Sequence, residues 1–99
     1  MISFTRTGAI APGKGAGAFA FAQKVAAYWK DNFHQELELR RPIGGNPNRI
    51  AFTSTYKDLA VFDAVSVKSM ADAKYQELLG TGAELWIAGS LHDEIWRSA

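Results

Sequence analysis

Few side chains of this 99-residue sequence suit catalysis, and they are spread widely along the chain. Histidine is a natural proton shuttle near neutral pH, which makes His34 one candidate catalytic residue. The phenol of Tyr56 is the other candidate. His34 and His92 are too far apart in sequence to match a metal-binding motif, so we predict no metal site. The alternative at both histidines is an exposed or hydrogen-bonded structural role, which is the commoner situation.

A polar row follows the histidine on a segment that alternates like a strand. Glu36, Glu38 and Arg40 are two residues apart, so their side chains share one face of that strand. Two carboxylates on one face suit acid–base chemistry, but an exposed, ion-paired row is the interpretation that we favour. Arg40 is nevertheless a candidate ligand-binding residue.

The aromatic residues suggest a second kind of site. Tyr56, Trp86 and Trp96 could line an aromatic pocket, and Trp86 is therefore a candidate ligand-binding residue. Large aromatic side chains are more often part of a core or of a subunit interface. The residue types leave both roles open.

Composition excludes several other kinds of chemistry. The chain has no cysteine, which rules out disulfides, cysteine-based metal sites and thiol catalysis. The glycine-rich run 8–15 resembles a phosphate-binding loop, but Gly15 stands where that loop needs Ser or Thr. The net charge is +1, and the predicted third strand keeps only Arg49 and Tyr56 of an RNA-recognition signature. We therefore expect neither nucleic acid nor a cofactor as a partner.

Hydrophobic periodicity predicts the elements that position these residues. Alternation predicts strands over 2–7, 34–41 and 49–56, and the spacing of Phe21, Val25, Tyr28 and Trp29 predicts a helix over about 15–32. Asp58 is the predicted N-cap of a helix over 59–67. A capping box at 69–72 predicts a further helix that stops at the glycines 80 and 82. The last segment, 84–97, is strand-like and breaks at the Gly89-Ser90 pair.

The predicted order is β-α-β-β-α-β, which is the ferredoxin-like α+β arrangement with an antiparallel sheet. Residues 1–99 fit one domain. Helices cover only one face of such a sheet, and a domain of this size buries only about 60–65% of its unfolded surface. We therefore expect a homodimer in which two open sheet faces pack together.

The start of the chain has no secretory signal pattern, and its longest low-charge stretch, 15–23, is too short to span a membrane. The expectation is a cytoplasmic protein without a membrane partner.

The whole pattern resembles the dimeric α+β barrel proteins, which include NIPSNAP-like, antibiotic-biosynthesis-monooxygenase-like and stress-responsive barrel domains. The segments that carry the resemblance are Pro12-Gly13-Lys14 before the first helix, Gly44-Gly45-Asn46-Pro47 before a strand that ends in Thr55-Tyr56 and continues into Lys57-Asp58-Leu59, Tyr75-Gln76-Glu77-Leu78-Leu79, and Ser90-Leu91-His92-Asp93-Glu94-Ile95-Trp96-Arg97. None of these segments is a motif for one activity. The resemblance implies space for a small molecule between sheet and helices or inside the barrel, and some members are cofactor-independent oxygenases.

The interpretation that we favour is a small homodimeric α+β barrel with room for a small apolar organic ligand. One alternative is a cofactor-independent monooxygenase-like enzyme with His34 or Tyr56 beside the substrate. The other is a structural or interaction module without catalysis. A ligand-sized cavity lined by His34, Arg40 or Tyr56 favours the enzyme, whereas a solidly packed interior contradicts it.

Overall fold

The computed structural model describes residues 1–99, which form a four-stranded antiparallel sheet with helices on one face. The elements are β1 (Ile2–Ala9), α1 (Gly15–Tyr28) with a π-helical turn (Trp29–Phe33), β2 (Glu38–Arg40), β3 (Arg49–Tyr56), α2 (Leu59–Ala71), α3 (Ala73–Thr81), a 3₁₀ turn (Ala83–Leu85) and β4 (His92–Arg97). The strand order is β2-β3-β1-β4. This order and the β-α-β-β-α-β sequence confirm the predicted ferredoxin-like α+β fold.

The register of the strands separates an apolar face from a polar face. Phe4 pairs with Ser54, and Arg6 pairs with Phe52, so these side chains point toward the helices. The opposite face, which we call the open face, carries mainly hydroxyl and charged side chains. Thr5 and Thr53 share a hydroxyl hydrogen bond of 3.2 Å across it. The open face is more polar than a sheet buried on both sides.

Small residues bring α1 close to the sheet. Ala18 and Ala22 are completely buried and pack with Ile50 of β3. The next turn of the same helix face carries larger side chains, which form a second cluster with α3. Its buried members are Phe21, Val25, Phe33 and Tyr75. The helix face predicted from the spacing of Phe21 and Val25 is thus confirmed.

The second strand is shorter than predicted. Instead of 34–41 it covers only Glu38–Arg40, because the helix continues through a π-helical turn to Phe33. The buried ring of Phe33 holds this turn against the core. His34 follows in the left-handed conformation with φ 53°, so it ends the turn and does not begin a strand.

The helix boundaries after β3 also differ from the prediction. Asp58 caps α2 as predicted and accepts a hydrogen bond of 2.9 Å from the Val61 N–H. The helix then runs to Ala71 because Ser69 is buried inside it and donates to the Ser66 carbonyl, so the capping-box prediction for Ser69 is wrong. The N-cap of α3 is Asp72, which accepts from the Tyr75 N–H at 2.9 Å.

The last segment pairs with the sheet only near its end. Residues 83–85 form a 3₁₀ turn, and Trp86 makes a single bridge to Ile10. Gly89 has φ +76°, which favours glycine and accounts for the predicted break. Strand β4 therefore begins at His92, after the break, within the segment predicted to be strand-like.

The molecule is a flat slab with extents of 38 × 34 × 21 Å and an accessible surface of 6495 Å². A folded monomer of this mass is expected to expose about 5,500 Å². None of the helices combines the length and apolar character needed to cross a bilayer.

Candidate ligand cavity

An apolar cavity of about 240 Å³ lies between the sheet and the helices. Every element except α2 contributes to its wall, directly or through an adjoining loop. Ten of its eleven lining residues are hydrophobic. The lining residues are Phe4, Arg6, Phe21, Val25, Trp29, Leu37, Phe52, Tyr75, Leu79, Trp86 and Leu91.

Regular spacing on three elements positions most of this wall. Phe21, Val25 and Trp29 are four residues apart and lie on one face of α1 and its π-helical extension. Tyr75 and Leu79 have the same spacing on α3. On the sheet side the wall comes from alternate residues of β1 and from Phe52 of β3. The cavity is therefore a product of the fold and does not depend on one loop.

Trp86 packs against the sheet in the cavity wall. Its ring meets Phe21 at a centroid distance of 6.4 Å and Phe52 at 6.1 Å, both in tilted edge contacts of 62°. Gly8 makes room for it, since a β-carbon at Gly8 would lie 3.1 Å from the Trp86 ring and 3.2 Å from Leu91. The absence of a side chain at Gly8 thus lets Trp86 and Leu91 approach the sheet.

A bidentate ion pair contributes the one charged side chain of the cavity wall. Arg6 of β1 donates from Nε and Nη2 to the two carboxylate oxygens of Asp93 on β4, at 2.7 and 2.8 Å. The two side chains are 46% and 42% exposed. Arg6 is the one charged residue of the lining, and its charge is neutralised by Asp93. The cavity therefore has no net charge of its own.

The hydrogen bonds from Arg6 hold the pKa of the Asp93 carboxyl below its usual range, despite some desolvation. The pair therefore stabilises the fold above the unfolded pKa of about 3.9, and this contribution is lost as the pH falls through the lower folded value. Because both groups are well exposed, the contribution is about 0–1 kcal/mol.

Asp93→Asn should consequently lower the free energy of unfolding by no more than about 1 kcal/mol at neutral pH and leave it unchanged near pH 2. Urea unfolding of both proteins at the two pH values measures this, with Glu77→Gln on exposed α3 as the control. If Asp93→Asn remains less stable than the wild type near pH 2, the ion pair with Arg6 is not the cause of the difference in stability.

Two polar groups lie among the aromatic rings of the wall. Trp29 and Tyr75 meet edge to face, with centroids 6.0 Å apart. The Trp29 Nε1–H is sealed from solvent and has no hydrogen-bond partner. Burial raises the pKa of Tyr75, while the nearby Trp29 N–H and Arg6 oppose the rise.

The structure brings only one of the four predicted site residues to the cavity. Trp86 lines it. Arg40 lies on the open face, 2.9 Å from Glu38 in an exposed ion pair, as favoured for this polar row. Tyr56 faces the helices but is buried against Phe62 and shares a 2.9 Å hydrogen bond with Ser54.

His34 is also outside the cavity, because its left-handed turn places it in solvent. The idea that it points into a cavity from the start of a strand is therefore wrong. His92 lies on β4 with its imidazole 3.8 Å from Glu94. His, Asp and Glu side chains nowhere gather in a group of three that could hold a metal ion.

Of the cavity residues that the sequence did not single out, Arg6 and Tyr75 carry polar groups. Arg6 occupies an alternate position of a predicted strand, but its partner Asp93 is 87 residues away. Tyr75 belongs to the apolar face of a predicted helix, and this position predicts an ordinary core residue. For Arg6 the missing information was the register between distant strands, and for Tyr75 it was the packing of α3 against the sheet.

No protein-family model matches the chain, and no curated protein matches its sequence. Solved structures, by contrast, match over nearly the whole chain. A NIPSNAP domain protein from Burkholderia xenovorans is 18% identical, with a TM-score of 0.82, over 100% of this chain and 95% of that one. A NIPSNAP family protein of unknown function from Agrobacterium tumefaciens is 16% identical, with a TM-score of 0.82, over 100% and 88%.

A third similar structure is a protein from Deinococcus radiodurans described as a candidate antibiotic biosynthesis monooxygenase. It is 10% identical, with a TM-score of 0.73, over 100% of this chain and 93% of that chain. These likenesses confirm the resemblance that the sequence suggested, at the level of the fold. Identities this low leave the activity to be argued from the cavity.

Proposed function

We propose that this protein binds a small, neutral, apolar organic molecule in the cavity between its sheet and helices. The single observation that carries the proposal is the cavity itself, about 240 Å³ with ten hydrophobic lining residues of eleven. An apolar cavity of about 150 Å³ in another protein is large enough to bind benzene. The volume here suits a ligand of one or two rings.

The charge balance supports a neutral ligand. Arg6 is the only charged lining residue, and Asp93 holds it with two hydrogen bonds. An anionic ligand would lose its hydration and would have to compete with Asp93 for the guanidinium. A neutral molecule avoids both losses.

The wall offers little for acid–base catalysis. The pKa values of Arg6 and Tyr75 are both raised, which keeps the guanidinium charged and the phenol protonated at neutral pH. The predicted catalytic candidates His34 and Tyr56 do not line the cavity. Binding is therefore the function that the geometry supports best.

Calorimetric titration with ethylbenzene tests the proposal. We expect one site per chain with a Kd on the order of 100 µM, as suits a ligand of about eight heavy atoms in a preformed apolar cavity. Titration with benzoate, which has similar size and a negative charge, is the control. Absence of ethylbenzene binding would overturn the proposed function.

We also propose that a second copy of the chain covers the open face and β4, to give a homodimer. The exposed surface exceeds that expected of a folded monomer by about 1,000 Å², close to the 800 Å² that one partner buries in a standard interface. Every residue of the edge strand β4 is exposed, and Trp96 is 67% exposed on the open face. A large exposed aromatic side chain is typical of a site that a partner covers.

The dimer proposal predicts a mass of about twice 10.8 kDa by light scattering after size exclusion. Trp96→Asp should shift the protein to the monomer mass, because it would bury a charge in the proposed interface. Ile43→Asp is the matched control, since Ile43 is fully exposed in the loop before β3. A wild-type monomer at micromolar concentration contradicts the proposal.

A further inference from the structure

The cavity meets solvent beside strand β4. Of its lining residues only Arg6 and Leu91 are exposed, with 46% of the Arg6 side chain and 58% of Leu91 open to solvent. Leu91 immediately precedes β4, and Arg6 pairs with Asp93 of that strand. The other lining residues are buried or half-buried, so a ligand enters past Arg6 and Leu91. We call this opening the mouth of the cavity.

The Arg6 guanidinium brings unused hydrogen-bond donors to the mouth. A guanidinium carries five N–H donors, and Asp93 takes one from Nε and one from Nη2. The remaining donors, on Nη1 and Nη2, have no acceptor within the chain. The guanidinium carbon lies 5.7 Å from the centroid of the Phe4 ring, which also lines the cavity. The free donors therefore lie beside the cavity wall.

The inner part of the wall is apolar where it is most deeply buried. Phe21 and Val25 are 9% and 4% exposed and belong to the core cluster. A polar ligand atom that lies against these side chains loses its hydration without gaining a hydrogen bond from them. At the mouth the same atom exchanges water for a guanidinium N–H, or keeps its water. The cavity is therefore suited to a molecule with one polar and one apolar end.

We infer that the ligand is an amphiphile with one neutral oxygen acceptor, a carbonyl or hydroxyl group, which accepts a hydrogen bond from Arg6 at the mouth. This inference rests on the proposed function and deepens it, since the apolar part of the same molecule lies against the inner wall. Arginine has donors only, so it selects an acceptor. Asp93 already neutralises the guanidinium, and its carboxylate repels a second one, so the acceptor is neutral.

Acetophenone and ethylbenzene test the inference, because they are similar in size and only acetophenone carries an acceptor oxygen. Arg6→Met replaces the guanidinium with an apolar, unbranched side chain. It should lower the affinity for acetophenone about fivefold relative to the affinity for ethylbenzene, the factor expected for one net hydrogen bond. Calorimetric titration of wild type and variant gives both affinities.

Arg40→Met is the matched control. Arg40 is also an exposed arginine in an ion pair, 2.9 Å from Glu38, but it lies outside the cavity. The same substitution there should leave the ratio of the two affinities as in the wild type. Near-ultraviolet circular dichroism checks that both variants keep their packed aromatic rings.

The orientation of bound acetophenone gives a second readout. Leu91 lies at the mouth, whereas Val25 belongs to the inner wall. We expect nuclear Overhauser contacts from the acetyl methyl group to the Leu91 methyls, and from the ring proton opposite the acetyl group to the Val25 methyls. The reversed pattern would place the oxygen away from Arg6.

Each possible result has a distinct meaning. A fivefold change of the affinity ratio confined to Arg6→Met, together with the expected orientation, supports the inference. An unchanged ratio in Arg6→Met, an equal change in Arg40→Met, the reversed orientation, or failure of acetophenone to bind would overturn it and leave the proposed function intact. If ethylbenzene itself fails to bind the wild type, the proposed function falls and this inference falls with it.

Discussion

Gly82→Ala should lower the free energy of unfolding by about 2–3 kcal/mol, although it adds a single methyl group. A β-carbon at Gly82 would lie 2.5 to 2.6 Å from three ring carbons of Phe21. Phe21 is itself 9% exposed and packs among Val25, Tyr75 and Trp86, so its ring has little room to retreat. The φ of Gly82 is −112°, which any residue adopts, and the effect therefore comes from overpacking and not from backbone strain.

Gly80→Ala is the matched control for this prediction. Gly80 is exposed in α3, the helix that Gly82 ends, and a β-carbon there would meet nothing within 4 Å. Alanine in a helix is favoured over glycine by about 0.8–1 kcal/mol, so this variant should be slightly more stable than the wild type. Urea unfolding of the three proteins measures both effects. Equal stability of Gly82→Ala and wild type would show that Phe21 does not pack as described.

The second large effect concerns the cavity. Leu79→Trp should reduce the affinity for ethylbenzene at least tenfold, because the larger ring occupies the space that the ligand needs. Leu79 lies on α3 and lines the cavity, whereas its neighbour Leu78 packs against the same core cluster without lining the cavity. Leu78→Trp is therefore a matched control, with the same substitution one residue away and little expected effect on affinity.

A second substitution in the cavity wall, at Leu91, tests the site independently of whether Leu79→Trp folds. Leu91 is 58% exposed, so Leu91→Trp should be tolerated by the fold and still narrow the cavity. Calorimetric titration of all three variants gives the affinities, and circular dichroism reports their folding. Folded Leu79→Trp and Leu91→Trp proteins that bind ethylbenzene like the wild type would contradict the assignment of the site.

The sequence predicts the elements well where the apolar pattern is regular. The third strand, Arg49–Tyr56, has the predicted bounds, and Phe21 and Val25 lie on the predicted helix face. The prediction is wrong where tertiary packing overrides local pattern. The alternation that begins at His34 looks like a strand, but burial of Phe33 extends the helix by a π-helical turn.

The cavity was harder to predict than the fold, because it depends on contacts between distant segments. Trp86 could be named from its residue type alone. Arg6 acquires its role only when β4 pairs with β1 and places Asp93 opposite it. Tyr75 becomes distinct from an ordinary core residue only when α3 packs against the sheet and places it in the cavity wall. Spacing within one helix or strand carries neither fact.

The most direct test of the central claim is a ¹H–¹⁵N correlation spectrum recorded during titration with ethylbenzene. Trp29 and Trp86 line the cavity, whereas Trp96 lies on the open face, 67% exposed. Occupation of the cavity should shift the indole N–H signals of Trp29 and Trp86 and leave that of Trp96 in place, with saturation at one ligand per chain. A spectrum that does not change, or changes only at Trp96, would contradict the assignment of this cavity as a ligand site.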